Sequence, residues 1–319
     1  MIVETLTSPV ILFFLLGALA AIAKSDLSIP DAFAKAVSIY LMAAIGLKGG
    51  VSVAASGFSP ELLWVALAGL ALSFLIPVPA FFLLTRVGGL SRVDAGAVAA
   101  HYGSVSVVTF VTAQELLTNR GLAPAGYLVA VLALMETPAI ISGLLLAKRG
   151  QVTDDPSLPD GSMLHDVLTN ASVVLLIGSF TIGLIAGTDG FVAVKPLFET
   201  GFRGVLCLFL LDMGLIATRR LTQSRKLTAR LVAIAVILPL ANGSLGTLLG
   251  AGIGLEAGSA AVLGVLAASA SYIAVPAAMR LALPEADPGI YLSMALGITF
   301  PFNIIFGISI FAALAAVVG

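Results

Sequence analysis

Charge is what this chain has least of. Asp, Glu, Lys and Arg together make up 10% of its 319 residues, against 59% hydrophobic residues, and the mean hydropathy is +1.12. A soluble globule of this size needs more polar surface than that, so the composition describes an integral membrane protein. The one cysteine, Cys207, lies in an apolar run and excludes a disulfide framework or a cysteine-based metal site. Two histidines beside it are too few ligands for a transition-metal centre. A net charge of -1, with no clusters of basic and aromatic residues, excludes a nucleic-acid binder. There is no Walker A stretch and no GxSxG or HExxH motif, so neither ATP-driven pumping nor enzymatic hydrolysis is expected, and no cofactor is implied. The opening residues, MIVETLTSP, have an acid and no Lys or Arg, so the first apolar segment is expected to remain as a span.

What is present is a series of apolar stretches, roughly 8–24, 31–50, 60–85, 94–116, 124–147, 167–188, 198–218, 228–253, 257–281 and 289–317. A helix needs about 20 apolar residues to cross the hydrocarbon core. The first two are marginal by that measure, and the last has length enough to tilt or to break at Pro301.

Landmarks recur in the same order in the two halves of the chain. Ala44-Ile45-Gly46-Leu47 answers Asp212-Met213-Gly214-Leu215, and Leu75-Ile76-Pro77 answers Ile237-Leu238-Pro239. Asp94-Ala95-Gly96-Ala97 answers Glu256-Ala257-Gly258-Ser259, and Glu136-Thr137-Pro138-Ala139 answers Thr299-Phe300-Pro301-Phe302. With the N-terminus outside, twelve of the 16 Lys and Arg residues fall in inner loops. Only Lys48, Arg120, Lys195 and Arg203 fall outside, a positive-inside bias that orients the chain in an inner membrane with both termini periplasmic. Five spans per half is an odd number, so the second half enters from the opposite face. The expected fold is an all-α integral membrane protein of ten transmembrane helices in two inverted five-helix repeats, residues 1–150 and 167–319. Between them a polar segment, 151–166, reads as a cytoplasmic linker.

Two small-residue, hydroxyl-bearing interruptions stand at equivalent places in the fourth and ninth spans: HYGSVSVVT from His101, and ASASYIA from Ala268. Gly103, Ser104, Ser106 and Thr109 mark the first; Ser269, Ser271 and Tyr272, with Pro276 just beyond, mark the second. Discontinuous helices there would aim amide N–H groups and positive dipole ends at a shared cavity, which suits a small anion. Small residues that merely let helices pack closely are the alternative. Glu136 in the fifth span is the candidate coupling carboxylate, for a cation or a proton, with Ser269 and Ser271 as further oxygen donors. Asp212 is a weaker candidate, with Arg203 as its expected partner, while Glu115 and Glu256 are expected in headgroups or water. His101 is a packing residue or takes part in handling substrate or protons. Asn242 and Asn303 follow prolines and are expected to serve freed backbone. Arg219, Arg220, Arg225 and Lys226 form a basic inner flank attractive to anionic lipid.

The order of Ser8-Pro9, Ile45-Gly46-Leu47-Lys48-Gly49-Gly50, Arg92-Val93-Asp94-Ala95, Gly103-Ser104-Val105-Ser106, Met135-Glu136-Thr137-Pro138-Ala139 and Ala267-Ala268-Ser269-Ala270-Ser271, ending in Pro276 and Arg280, resembles the sodium-dependent bicarbonate transporters of cyanobacteria and their wider bacterial permease family. The resemblance covers nearly the whole chain. It implies ten spans split into a core and a gate domain, a homotrimer, sodium-driven bicarbonate uptake, and regulation by a cytoplasmic PII-like protein. The bicarbonate pocket it implies falls on Gly103, Ser104, Ser106, Thr109, Ser269 and Ser271. The chain departs from those members at Val107, Val108, Ala270 and Tyr272, the last standing where they carry an Asp. Two other functions stay open: a non-transporting membrane receptor for a small ligand, and a proton-coupled monocarboxylate carrier with Glu136 titrating.

Overall fold

A computed structural model describes residues 7–56, 60–148, 171–223, 227–272 and 274–319. Among the described residues the chain is helical and contains no strand. We label the helices α1 (Pro9–Ile22), α2 (Asp31–Ser56), α3 (Pro60–Leu75), α4 (Pro77–Arg86), α5 (Arg92–Gly103), α6 (Val107–Thr118), α7 (Leu128–Leu134), α8 (Glu136–Lys148), α9 (Ala171–Val192), α10 (Phe202–Gln223), α11 (Ala229–Gly252), α12 (Ala257–Ala268) and α13 (Ala274–Ala282). The last, α14 (Pro288–Val318), is one helical rod. Each of the ten apolar stretches carries helix. Six rods are long and apolar enough to cross a membrane: Ala32–Ala55, Pro60–Arg86, Arg92–Thr118, Leu128–Lys148, Ala229–Gly252 and Pro288–Val318. The expected linker, 151–166, lies outside the described residues.

Two expectations about length change. The second helix is not marginal, because α2 continues past Gly50 to Ser56 over 26 residues. Pro301 does not break α14; the helix widens instead into π-type turns at Ser293–Thr299 and Asn303–Gly307 on either side of it. Widening by one residue absorbs a proline's missing donor without ending the helix. Helix starts follow local chemistry. Ser91 caps α5 by accepting from Asp94 N at 3.1 Å, Thr228 caps α11 through Leu231 N at 3.3 Å, and Asp287 caps α14 through Gly289 N at 2.7 Å. Asp94 Oδ1 also accepts from Asp287 N at 2.8 Å, tying the entry of α5 to that of α14.

Packing sorts the helices into two groups. In the first, α2 lies along α9 and α1 along α10; in the second, α3, α4, α5, α8, α11, α12 and α14 pack on one another. The first group is joined by two glycine crossings built alike. A Cβ on Gly50 would strike the carbonyl of Phe180, and one on Gly183 the carbonyl of Leu47. Between α1 and α10, a Cβ on Gly17 would strike the carbonyl of Leu211, and one on Gly214 that of Phe14. Each glycine faces the carbonyl three residues before its partner glycine. A lipid environment supplies no hydrophobic drive between helices, so this backbone-to-backbone approach is what holds them.

Glycine inside a helix ordinarily costs about 1 kcal/mol relative to alanine, so alanine should stabilise wherever there is room. We expect the sign to reverse at the crossings: Gly183→Ala destabilises by about 2 kcal/mol or more, while Gly204→Ala on α10, where an added Cβ meets nothing within 4 Å, is neutral or stabilising. Thermal unfolding of the two variants in detergent, followed by circular dichroism, checks this.

Candidate functional site

Both hydroxyl-rich stretches are breaks in the helix. Between α5 and α6, Ser104 (φ -89°, ψ 179°) and Ser106 (φ -114°, ψ 111°) are extended. Ser106 restarts the helix: its hydroxyl oxygen accepts from Thr109 N at 3.2 Å and from the Thr109 hydroxyl at 3.0 Å. Gly103 is glycine because a Cβ there would run into the Pro77 ring and Ser73 O. Between α12 and α13, Ser269 is extended (φ -70°, ψ 157°) and its hydroxyl donates to Val265 O at 2.7 Å. Ser271 Oγ accepts from Val275 N at 3.4 Å. Pro276 falls in the first turn of α13, where its missing N–H leaves no bond unmade.

The breaks touch. Ser271 N donates to His101 O across 2.9 Å, so the backbone of the second break satisfies a carbonyl at the end of α5. Asn303, beyond Pro301, donates from Nδ2 to Ala268 O at 2.8 Å, satisfying a carbonyl at the end of α12. A third link runs through Thr299. Its hydroxyl donates to Ala235 O at 2.7 Å, so its oxygen accepts the Tyr102 hydroxyl, also at 2.7 Å. This chain joins α5, α14 and α11. Aromatic faces close the surroundings: the His101 ring stacks on Tyr291 with centroids 4.6 Å apart, and Tyr272 meets Phe300 edge-on at 5.3 Å.

Gly103, Ser104, Ser106, Thr109, Ser269 and Ser271 are all buried. The Tyr272 hydroxyl approaches Ser106 outside hydrogen-bonding geometry. Among the described residues Ser104 Oγ, Tyr272 Oη and His101 Nε2 have no hydrogen-bond partner. An unpartnered buried polar atom costs about 1–3 kcal/mol, and these three belong to residues in the two interrupted segments or in the turn that leads into one of them. Oxygen donors at the breaks are hydroxyls and carbonyls; no carboxylate stands in either. Glu136 opens α8 and is 3% exposed. Its Oε2 has no hydrogen-bond partner among the described residues, and α8 packs against α5 and α13. Among the described residues no hydrogen bond links Glu136 to the breaks.

Other expectations are corrected. Glu115 is not in water or headgroups: it is 9% exposed and pairs with Arg203, which also donates to Asn119. Arg203 therefore serves Glu115 on α6 rather than Asp212 on its own helix. Asn303 does serve freed backbone, whereas Asn242 Nδ2 is buried and finds no partner among the described residues. Glu256, exposed, precedes α12 as expected. Tyr291 was not singled out from sequence, and Thr299 and Phe300 were named only as a landmark of the repeat. Tyr291 and Thr299 reach the first break from about 190 residues along the chain and Phe300 packs on the second from the next helix, contacts about which local pattern is silent.

Rods of this length and apolarity around two buried interruptions define a multi-pass membrane protein. Within that class the chain belongs to the Na+-dependent bicarbonate transporter superfamily, whose family model matches residues 9–316. No curated protein matches the chain. The family confirms the resemblance carried by the ordered motifs.

The Tyr102–Thr299–Ala235 chain makes a stability test. Thr299→Val leaves the Tyr102 hydroxyl and Ala235 O without each other's help and should destabilise by about 1–3 kcal/mol. In the Tyr102→Phe background the same substitution should cost less, because one of the stranded groups is already gone. A double-mutant cycle of unfolding in detergent measures the difference.

Proposed function

We propose that the protein is a secondary transporter of a small anion, bicarbonate, coupled to sodium and working by alternating access in a bacterial inner membrane. The carrying observation is the contact of the two breaks, Ser271 N to His101 O, with hydroxyls of both half-helices around it. The family supports a small-anion substrate. In this reading all ten helical stretches cross the bilayer, including those too short to do so by length alone, as two inverted repeats with periplasmic termini. The matched glycine crossings support the repeats: exchanging the halves carries α1 to α9 and α2 to α10, so the α1–α10 pair becomes the α9–α2 pair, with Gly50 at its crossing one turn beyond Gly46, the residue that answers Gly214 in sequence. Gly89 and Gly254 support them too, each holding the left-handed conformation in the turn before a broken helix (φ 69° and 87°).

The group containing α1, α2, α9 and α10 acts as the gate, and the group that bears the breaks acts as the core. Substrate binds between α5–α6 and α12–α13, on Ser104, Ser106, Thr109, Ser269, Ser271 and Tyr272. Gly103 allows the backbone to approach, and Ser269, Ser271 and Glu136 serve the coupling ion. A homotrimer, and a PII-like regulator at the cytoplasmic face, belong to the same reading. Glu136 favours one alternative: a buried carboxyl whose Oε2 has no hydrogen-bond partner among the described residues, and no acid in the breaks, suit proton coupling instead of sodium.

Uptake of labelled bicarbonate into proteoliposomes should rise with an inward sodium gradient, and Ser106→Ala and Ser271→Ala should each lower it about tenfold or more at equal reconstitution. Uptake that follows pH and ignores sodium selects proton coupling; no uptake under any gradient removes the transport reading. Alternating access also requires the Arg203–Glu115 contact between α10 of the gate and α6 of the core to open. Glu115→Gln should therefore change the transport rate while leaving the substrate KM within about twofold.

A further inference from the structure

We infer that His101 is a substrate-specificity residue, its Nε2 accepting a hydrogen bond from an anion that carries its own O–H. The inference rests on the transport reading and names the class of anion the site selects. His101 sits in the last turn of α5, fully buried, and its carbonyl is the one that receives Ser271 N from the other break. Nδ1 lies 2.6 Å from Ala97 O. A carbonyl oxygen only accepts, so Nδ1 carries the hydrogen. The ring is buried against Tyr291 and forms no ion pair among the described residues, so it is the neutral form. Nε2 is then a bare lone pair, buried and without a donor among the described residues.

The rest of the cluster has the opposite character. The hydroxyls of Ser104 and Tyr272 are rotatable, buried and without a hydrogen-bond partner among the described residues, so each has a hydrogen to donate. A site of donors alone holds any small oxyanion. A site of donors with one fixed acceptor holds best an anion that is itself part donor, and bicarbonate is that. Nitrate has the same charge and trigonal planar shape but no hydrogen, so it would leave Nε2 unsatisfied. Sites built to bond a hydroxyl reject analogues lacking it because a buried group is stranded.

Two measurements on the full chain test this. The chain has two histidines, so 15N-histidine labelling, with His165→Ala to remove the second, leaves one imidazole to watch by solid-state NMR. Bicarbonate should move the Nε2 resonance upfield and nitrate should not; an Nε2 signal unmoved by bicarbonate overturns the proposal whether or not the protein transports. In proteoliposomes, nitrate should compete with labelled bicarbonate at least about tenfold more weakly than unlabelled bicarbonate does. His101→Phe, which keeps a ring for Tyr291, should bring the two within about threefold by weakening bicarbonate, and His101→Gln should restore part of the preference through its amide oxygen. Ser104→Ala and Tyr272→Phe should weaken both anions alike. If His101→Phe leaves the preference intact, or weakens both anions equally, His101 is structural even though transport stands. If wild type shows no uptake while the Nε2 signal responds, the transport reading fails and the binding role survives.

Discussion

A helix that stops inside a bilayer strands its last carbonyls and the first amides of its continuation, and lipid offers them nothing. Two helices of this protein stop within its buried interior, where water is equally out of reach, and the neighbourhood is organised around supplying what is missing. The shortage at the end of α5 is met by an amide of the other break, at His101 O, and that at the end of α12 by a side chain, Asn303, at Ala268 O. Ser106 and Ser271 supply capping oxygens for the restarted helices. Because one break helps satisfy the other, neither helix can straighten or shift alone without stranding a polar group.

The same constraint sets how the remainder can move. The helices bearing the breaks are cross-linked through Thr299, Asn303 and Tyr102, whereas α1, α2, α9 and α10 are joined to each other by glycine crossings. One group is held by hydrogen bonds between buried polar atoms, the other by close backbone contact. Between them, among the described residues, the Arg203–Glu115 pair is a polar tie, and its arginine is exposed.

What the sequence made readable was whatever one residue type determines locally. Serines after glycine in an apolar run, and Pro276 close behind, announced interruptions, and both are found there. The even spacing of apolar stretches foretold the helices, although Pro301 showed that a proline at the right depth widens a helix as readily as it ends one. What could not be read was the choice of partner. Arg203 had a candidate acid on its own helix, about two and a half turns on, and took Glu115 of α6 instead. His101 was visible as a histidine before a serine cluster, but its state depends on Ala97 O one turn back and Tyr291 far along the chain.

The departure at Tyr272 gains meaning from this geometry. A carboxylate at that position would face Ser106 across the junction of the breaks and would favour a cation there. A phenol at the same place brings a donor, an aromatic edge packed on Phe300, and no charge. With Ser104 unpartnered on one side and Tyr272 on the other, the junction presents hydrogens to its guest. In the proposed reading the anion sits at that junction, and Glu136, the acid that α8 brings to the bundle, has no hydrogen bond to it among the described residues. If a cation travels with the anion, it must be held by hydroxyl and carbonyl oxygens of the breaks or by Glu136, at a distance from the anion set by the packing of α8 on α5 and α13. The two cargoes would then be coupled through movement of those helices rather than through direct contact.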